Sequence, residues 1–303
     1  MDLQFANGYF KAKSTTLLQP HDYIELSSLD QNSFFIHLNN KLIGPLVKDN
    51  NIENISVFEK EKLISDFKIA KLDDYLFLIN LEYDLTNIIL LYKEKYFNVD
   101  SKNYFIKDAT YSYDFLKRAI ILEDYELLDD NQKEFFDYLN KLECENDANL
   151  LSSLIASHLY KTYYNQFKNK DESLKKYFNY KITLTNIKTF VRVNKLGLDV
   201  SFLKTNLIDL GNIKVKEFVE LSLLPNNTVA MRLSNYFYNK DDKAFINYFN
   251  DYDLTKVNQV LDNLFLEQIK ELDLLEDTLG PVLYYLEMFK LQIRKIKEIF
   301  YKI

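Results

Sequence analysis

The tetrapeptide Leu-Thr-Asn-Ile occurs twice in the chain, at residues 85–88 within EYDLTNIILLYKEK and at residues 184–187 within YKITLTNIKTFVRVNK. The two asparagines of these copies, Asn87 and Asn186, are 99 residues apart. This spacing is far longer than the period of a short solenoid repeat and close to the length of a small folded unit. The 303-residue chain is therefore expected to contain several copies of one such unit.

Both copies are predicted to be helical. Their apolar residues recur at intervals of three and four, which places them on one face of an amphipathic helix. The residues of this apolar stripe are Leu85, Ile88, Ile89 and Tyr92 in the first copy and Leu184, Ile187, Phe190 and Val191 in the second. Asp84 and Thr183, which precede the two tetrapeptides, carry oxygens that accept from the free N–H groups of a starting helix. We therefore expect both to be N-caps.

Similar elements surround each copy and predict three helical lobes. Helical stretches precede the tetrapeptides at residues 57–69 and 149–167, as first arms of helical hairpins, and others follow at 113–122 and 215–223. A third round has arms at 256–275 and 281–301. The predicted fold is all-α, with lobes at residues 1–103, 104–202 and 203–303.

Composition excludes several classes of protein. Five glycines and four prolines are too few for a many-stranded β fold with its regular turns. The net charge of −7 argues against nucleic acid as the main partner, because binding phosphates needs a concentrated basic surface. No apolar run approaches the roughly 20 residues of a membrane-spanning helix, and no secretory signal is evident. The single cysteine, Cys144, excludes an intrachain disulfide and fits a reducing compartment, with cytoplasm as the default.

Catalytic and cofactor motifs are not found. His21, His37 and His158 have no partner at metal-ligand spacing, and no glycine-rich nucleotide loop is present. The aspartate pairs at residues 73–74, 129–130 and 241–242 lack a third carboxylate one helical turn away, so they are interpreted as solvated surface or helix caps. We expect no catalytic residue, no metal site and no cofactor.

Two groups of polar residues on the repeated helices require an interpretation. Asn87 and Asn186 lie in mid-helix, where asparagine has poor propensity, so their recurrence predicts a fixed hydrogen bond to neighbouring main chain. Lys188, Arg192 and Lys195 share one face of the second helix. That face is either solvated or in contact with an acidic partner surface. The last helix is also basic, and it could likewise face acidic partners or anionic headgroups.

Residues 177–213 resemble the signature of the C-type central-stalk protein of bacterial and archaeal V/A-type rotary ATPases, the counterpart of the d-type protein of eukaryotic V-type ATPases. In that family the segment reads approximately D-L-x-N-I-K-x-L-L-R-x-K-x-x-G, followed by F-L and L-I-P-G-G. The matching residues are Asn186, Ile187, Lys188, Arg192, Lys195, Gly197, Phe202, Leu203, Leu207, Ile208 and Gly211. The opening YFKAKSTTLLQPHDYIEL and the closing LGPVLYYLEMFKLQIRKIKEIF are also similar to the family pattern. The departures are Thr183, Asp209, Leu210, Val282, Leu283, Gln292 and Lys295.

The resemblance implies three similar lobes around a pseudo-threefold axis, forming a funnel. It also implies a non-catalytic central-stalk protein that couples the rotating shaft of the soluble ATPase sector to the membrane proteolipid ring. Such a protein would be peripheral, at the cytoplasmic face of the cell membrane. Asn87, Asn186, Gly197 and Gly211 would be structural, and Lys188, Arg192 and Lys195 would bind a partner.

Other classes of function remain open. A free-standing helical scaffold that binds a partner helix would explain the repeats equally well. An enzyme acting on an isoprenoid diphosphate would require magnesium-dependent release of diphosphate. A rotary ATPase specialised for a task other than ordinary ion pumping is also compatible with the departures from the family pattern.

Overall fold

The computed structural model describes residues 2–41, 51–107, 109–142, 147–236 and 254–303, and within these ranges every regular element is helical. This confirms the predicted all-α class. The α-helices are α1 (Leu3–Ser14), α2 (Pro20–Ser27), α3 (Gln31–Lys41), α4 (Asn54–Ile69), α5 (Phe77–Phe97), α6 (Tyr113–Ile120), α7 (Asp130–Asn140), α8 (Ala148–Phe167), α9 (Glu172–Leu196), α10 (Val200–Asn206), α11 (Val215–Leu221), α12 (Asn226–Ser234), α13 (Leu254–Leu272) and α14 (Gly280–Phe300). Short 3₁₀ helices span Asp73–Tyr75 and Lys102–Tyr104. The six flanking helices predicted from the sequence correspond to α4, α8, α6, α11, α13 and α14.

The predicted N-caps are wrong. Asp84 lies in the second turn of α5, and Thr183 lies near the middle of the 25-residue helix α9. Helix α9 begins instead after Asp171, whose carboxylate accepts from the N–H of Leu174 at 2.9 Å. Asp84 and Thr183 do accept hydrogen bonds from main-chain N–H groups, but these groups belong to other segments of the chain.

The chain divides into two compact units, one formed by Met1–Ile79 with Ile269–Ile303 and the other by Asn80–Gln268. The three lobes predicted at 1–103, 104–202 and 203–303 are a finer division, which stays a prediction. Within the described ranges, each helix falls short of the length and apolar character that a membrane span requires.

The first unit is built around an aromatic core between α1, α4 and α14. The ring of Phe10 lies 5.5 Å from that of Phe67 and 5.3 Å from that of Tyr285. Beside this core, the fully buried carboxylate of Asp66 accepts from the hydroxyl groups of Tyr9 at 2.6 Å and Tyr285 at 3.2 Å. These bonds satisfy a buried charge and join the three helices.

The turn that precedes α14 depends on a glycine. A Cβ atom added to Gly280 would lie 1.9 Å from the carbonyl oxygen of Leu272, which no side chain tolerates. The amide of Asn7 holds the same turn by donating to the carbonyl groups of Glu276 and Thr278. Helix α1 is thereby tied to the start of the C-terminal helix.

The second unit is built on the antiparallel pair α8 and α9, which is the helical hairpin predicted for the second copy. Helix α7 covers α8, and the ring of His158 stacks on Tyr138 at 3.9 Å and on Phe135 at 5.5 Å. In the first copy, the predicted first arm α4 packs against α14. Hairpin pairing observed in one copy is thus no guide to the packing of the other.

Candidate functional site

Asn186 fastens an irregular segment of the chain to helix α9. Its side-chain amide donates to the carbonyl oxygen of Ile208 at 2.8 Å, and its side-chain oxygen accepts from the N–H of the same residue at 3.3 Å. Asn186 is fully buried and Ile208 nearly so, so one amide satisfies two main-chain groups that water does not reach.

Two further residues of α9 extend this contact. The hydroxyl oxygen of Thr183 accepts from the N–H of Asn212 at 2.7 Å, and the side-chain oxygen of Asn179 accepts from the N–H of Gly211 at 3.1 Å. Since positions 179, 183 and 186 are spaced by four and three, they lie on one helix face. We call Asn179, Thr183 and Asn186 the second clamp. It holds the chain between α10 and α11.

The first copy contains the same arrangement on α5. The amide of Asn87 donates to the carbonyl oxygen of Ile106 and accepts from its N–H, both at 2.9 Å. Asp84 accepts from the N–H groups of Thr110 at 2.8 Å and Tyr111 at 3.3 Å. Asn80 donates to the hydroxyl oxygen of Thr110 at 3.3 Å. Asn80, Asp84 and Asn87 form the first clamp, which holds the chain that leads into α6.

Every member of the first clamp lies 99 residues before its counterpart in the second, so the repeat extends beyond the tetrapeptide. Sequence reasoning identified Asn87 and Asn186 and missed Asn80 and Asn179. The missed signal was present in the sequence, because the two residues are identical at the same spacing of 99.

An ion pair joins one position of the repeat to its own counterpart. The Nζ atom of Lys181 lies 2.7 Å from Oε1 of Glu82, and these residues are again 99 apart. The ammonium group also lies 4.5 Å from the ring centroid of Phe265 and within 6 Å of the rings of Tyr160 and Tyr177. The side chain of Lys181 is only 13% exposed. A lysine placed so close to three aromatic faces gains cation–π stabilisation in addition to its ion pair.

Helix α14 makes a related contact with the N-terminal part of the chain. The side-chain oxygen of the buried Gln292 accepts from the N–H of Leu18 at 2.7 Å, two residues before α2 begins. Gln292 precedes Lys295 by three residues, just as Asp84 precedes Asn87. Lys295, which replaces the family's asparagine, instead lies 5.2 Å above the ring of Tyr23 on α2.

The two predicted structural glycines have clear roles at the second clamp. Gly197 ends α9 in the left-handed conformation, with φ of 65°, and the N–H of the next residue, Leu198, donates to the carbonyl of Val193. Gly211 has φ of 90°, and a Cβ atom there would lie 2.5 Å from the hydroxyl oxygen of Thr183. The segment can lie this close to α9 only because residue 211 has no side chain.

The predicted partner-binding residues lie on the C-terminal half of α9. Lys188 and Arg192 are partly buried, and Lys195 is exposed in the last turn, where its charge complements the helix dipole. The structure leaves their role as a binding surface a prediction.

The residues considered for catalytic chemistry lie apart from the clamps' hydrogen bonds. Burial lowers the pKa of His158 to about 4, because the protonated imidazole would lose its hydration between the rings of α7 and α8. Asp73 and Asp74 are exposed, and Asp129 caps α7 by accepting from the N–H of Gln132. The described ranges contain no group of three potential metal ligands. Cys144 and the pair at 241–242 lie outside the described residues.

Comparison with known proteins adds one family match. Residues 6–301 match the family model described as "ATP synthase (C/AC39) subunit". A search among curated proteins finds no match. The family match covers nearly the whole chain, including both clamps and the contact between α14 and the N-terminal segment.

Proposed function

Since its model matches residues 6–301 of 303, the chain belongs to the ATP synthase (C/AC39) subunit family of V/A-type rotary ATPases, and on this premise we propose that it is a non-catalytic protein of the central stalk. In this role it couples the rotating shaft of the soluble ATPase sector to the membrane proteolipid ring during ATP-linked transport of protons or sodium ions. It acts as a peripheral protein at the cytoplasmic face of the membrane. Its partners are the shaft proteins and the ring.

The family match over nearly the full length carries this proposal. The clamps support it physically, because a protein that passes torque between two partners must keep its contact elements at fixed orientation. Each clamp fastens the main chain just before α6 or α11 to a long helix through side chains that are mostly buried. Buried hydrogen bonds of this kind fix one arrangement of the segments that they join.

The basic face formed by Lys188, Arg192 and Lys195 is proposed as a contact for an acidic partner surface. Charged surfaces increase the rate and specificity of association more than they increase affinity. This face therefore suits a protein that must find its place in a large complex.

The test is recovery of the tagged protein from its native membranes at low salt, followed by mass spectrometry of the chains that co-purify. Recovery of both shaft proteins and a proteolipid is the expected result. Recovery of soluble proteins alone, with no ATPase chain, would contradict the coupling role. The free-standing helical scaffold would then be the better description of the protein.

A further inference from the structure

The turn that joins α6 to α7 exposes two leucines. We call residues 121–129 the acidic turn. Leu122 is 64% exposed and Leu127 is 66% exposed, whereas the adjacent Leu128 is buried. The equivalent turn after α11 also exposes a leucine, Leu223, at 73%. A large apolar side chain at this place in both copies indicates contact with another molecule, since scattered exposure alone does not repeat with the fold.

The acidic turn holds its leucines outward through a fixed conformation. The N–H groups of Leu122 and Asp124 donate to the carbonyl oxygens of Lys117 and Arg118, at 3.1 and 2.9 Å. The guanidinium of Arg118 also donates to the carboxylate of Asp124, through Nε at 2.9 Å. Glu123 has a positive φ of 51°, which is uncommon for a residue with a side chain. A surface that is already ordered loses less entropy on binding.

The charge of the turn indicates the chemistry of its partner. Residues 121–129 contain Glu123, Asp124, Glu126 and Asp129 and no basic residue. Glu123 pairs with Lys95 of α5, and Asp124 pairs with Arg118 of α6. Glu126 is 83% exposed and reaches Arg118 only at 3.8 Å, so much of its charge faces solvent. The leucines are therefore surrounded by net negative charge, which favours a basic partner surface with an apolar centre.

Among the partners of the proposed function, the membrane ring has this chemistry. Cytoplasmic loops of membrane proteins carry an excess of lysine and arginine, and their ends lie at an apolar boundary. Anionic lipid headgroups would repel the same carboxylates. Resting on the proposed function, we propose that the acidic turn docks on the basic cytoplasmic loops of the proteolipid ring, with Leu122 and Leu127 as its apolar anchors.

The test measures binding of the purified chain to the proteolipid ring in nanodiscs of neutral lipid, at about 50 and about 300 mM salt. The L122S/L127S variant should weaken binding about tenfold or more at both salt concentrations, because it removes apolar contact. Glu126→Lys should weaken binding several-fold at low salt and less at high salt, because salt screens its charge.

Two matched controls accompany these variants. Val57→Ser removes an exposed apolar side chain of α4. Glu220→Lys reverses a half-exposed carboxylate that reaches its lysine at 3.8 Å, the same distance as in the Glu126 pair. Both should bind the ring within about twofold of the wild-type chain, and circular dichroism should show unchanged helicity in all variants.

Three outcomes separate the possible errors. Unchanged ring binding by L122S/L127S would assign the turn to solvent and overturn the inference. Weaker binding to purified shaft proteins with unchanged ring binding would assign it to the other partner and also overturn it. A wild-type chain that binds neither ring nor shaft would contradict the proposed function itself, and the inference would fall with it.

Discussion

At the scale of single residues, the clamp asparagines are the side chains on which the most depends. Each one satisfies both main-chain groups of one residue in another segment. Replacing Asn87 or Asn186 with alanine leaves those groups unpaired, which costs about 1–3 kcal/mol for each buried group. We expect each variant to lose about 2–4 kcal/mol of unfolding free energy in urea titrations.

The control for this prediction is the neighbouring residue of the same tetrapeptide. Thr86 is exposed and bonds only to the carbonyl of Glu82 within its own helix. Thr86→Ala should change the unfolding free energy by less than about 0.5 kcal/mol. Equal losses in the threonine and asparagine variants would show that the clamps contribute nothing specific.

Three glycines provide a graded test of backbone conformation. Gly211→Ala should cost about 3 kcal/mol or more, because it adds a clash with Thr183 to a left-handed φ. Gly197→Ala should cost only about 1–2 kcal/mol, since its φ is also left-handed but the space around it is open. Gly8→Ala should stabilise by roughly 0.5–1 kcal/mol, because Gly8 lies within helix α1 with open space beside it. Urea denaturation of the three variants checks this order.

At the scale of helices and turns, the packing of α7 on α8 should depend on pH. The pKa of His158 is about 4 in the folded chain, below the value near 6.5 of an unfolded histidine. The unfolded state therefore binds more protons between these values, and stability falls as the pH drops from about 6.5 to 4. The loss attributable to His158 should reach up to about 3 kcal/mol.

This pH dependence is measured by urea denaturation at about pH 7.5, 6.0 and 5.0. His158→Phe keeps a ring between those of α7 and removes the titrating group, so its stability should fall less over the same range. His21→Phe is the control, because His21 is exposed and should leave the wild-type dependence in place. A His158→Phe profile parallel to wild type would contradict the assignment.

The helices themselves were largely predictable from the sequence, because their apolar residues recur with a period that only a helix places on one face. The ends of α5 and α9 were not. Asp84 and Thr183 have the chemistry of caps, and both accept from main-chain N–H groups, but local sequence does not specify whether those groups are at the helix start or in a distant segment. The third contact, from Gln292 to Leu18, joins the two ends of the sequence and leaves no repeated spacing to detect.

At the scale of the whole molecule, the basic face of α9 provides the test of assembly. Reversing the charge of Lys188, Arg192 and Lys195 should leave helicity unchanged and weaken incorporation into the ATPase complex, if the face contacts an acidic partner. Quantitative mass spectrometry of the purified complex measures incorporation. We expect at least about a fivefold loss at low salt and a smaller loss at high salt.

The matched control reverses three other lysines of the same unit, Lys102, Lys175 and Lys216, and changes the net charge by the same amount. Normal incorporation of this control with loss of the first variant would locate the contact on α9. Normal incorporation of both would assign the basic face to solvent.

The ion pair between Glu82 and Lys181 bears on how the molecule arose. If the two copies descend from one duplicated gene segment, the ancestral copies carried the same residue at this position. Two glutamates or two lysines meeting there would have repelled each other. Divergence to opposite charges removed that repulsion and at the same time made the copies non-interchangeable, so an exactly repetitive ancestor could not have contained this bond.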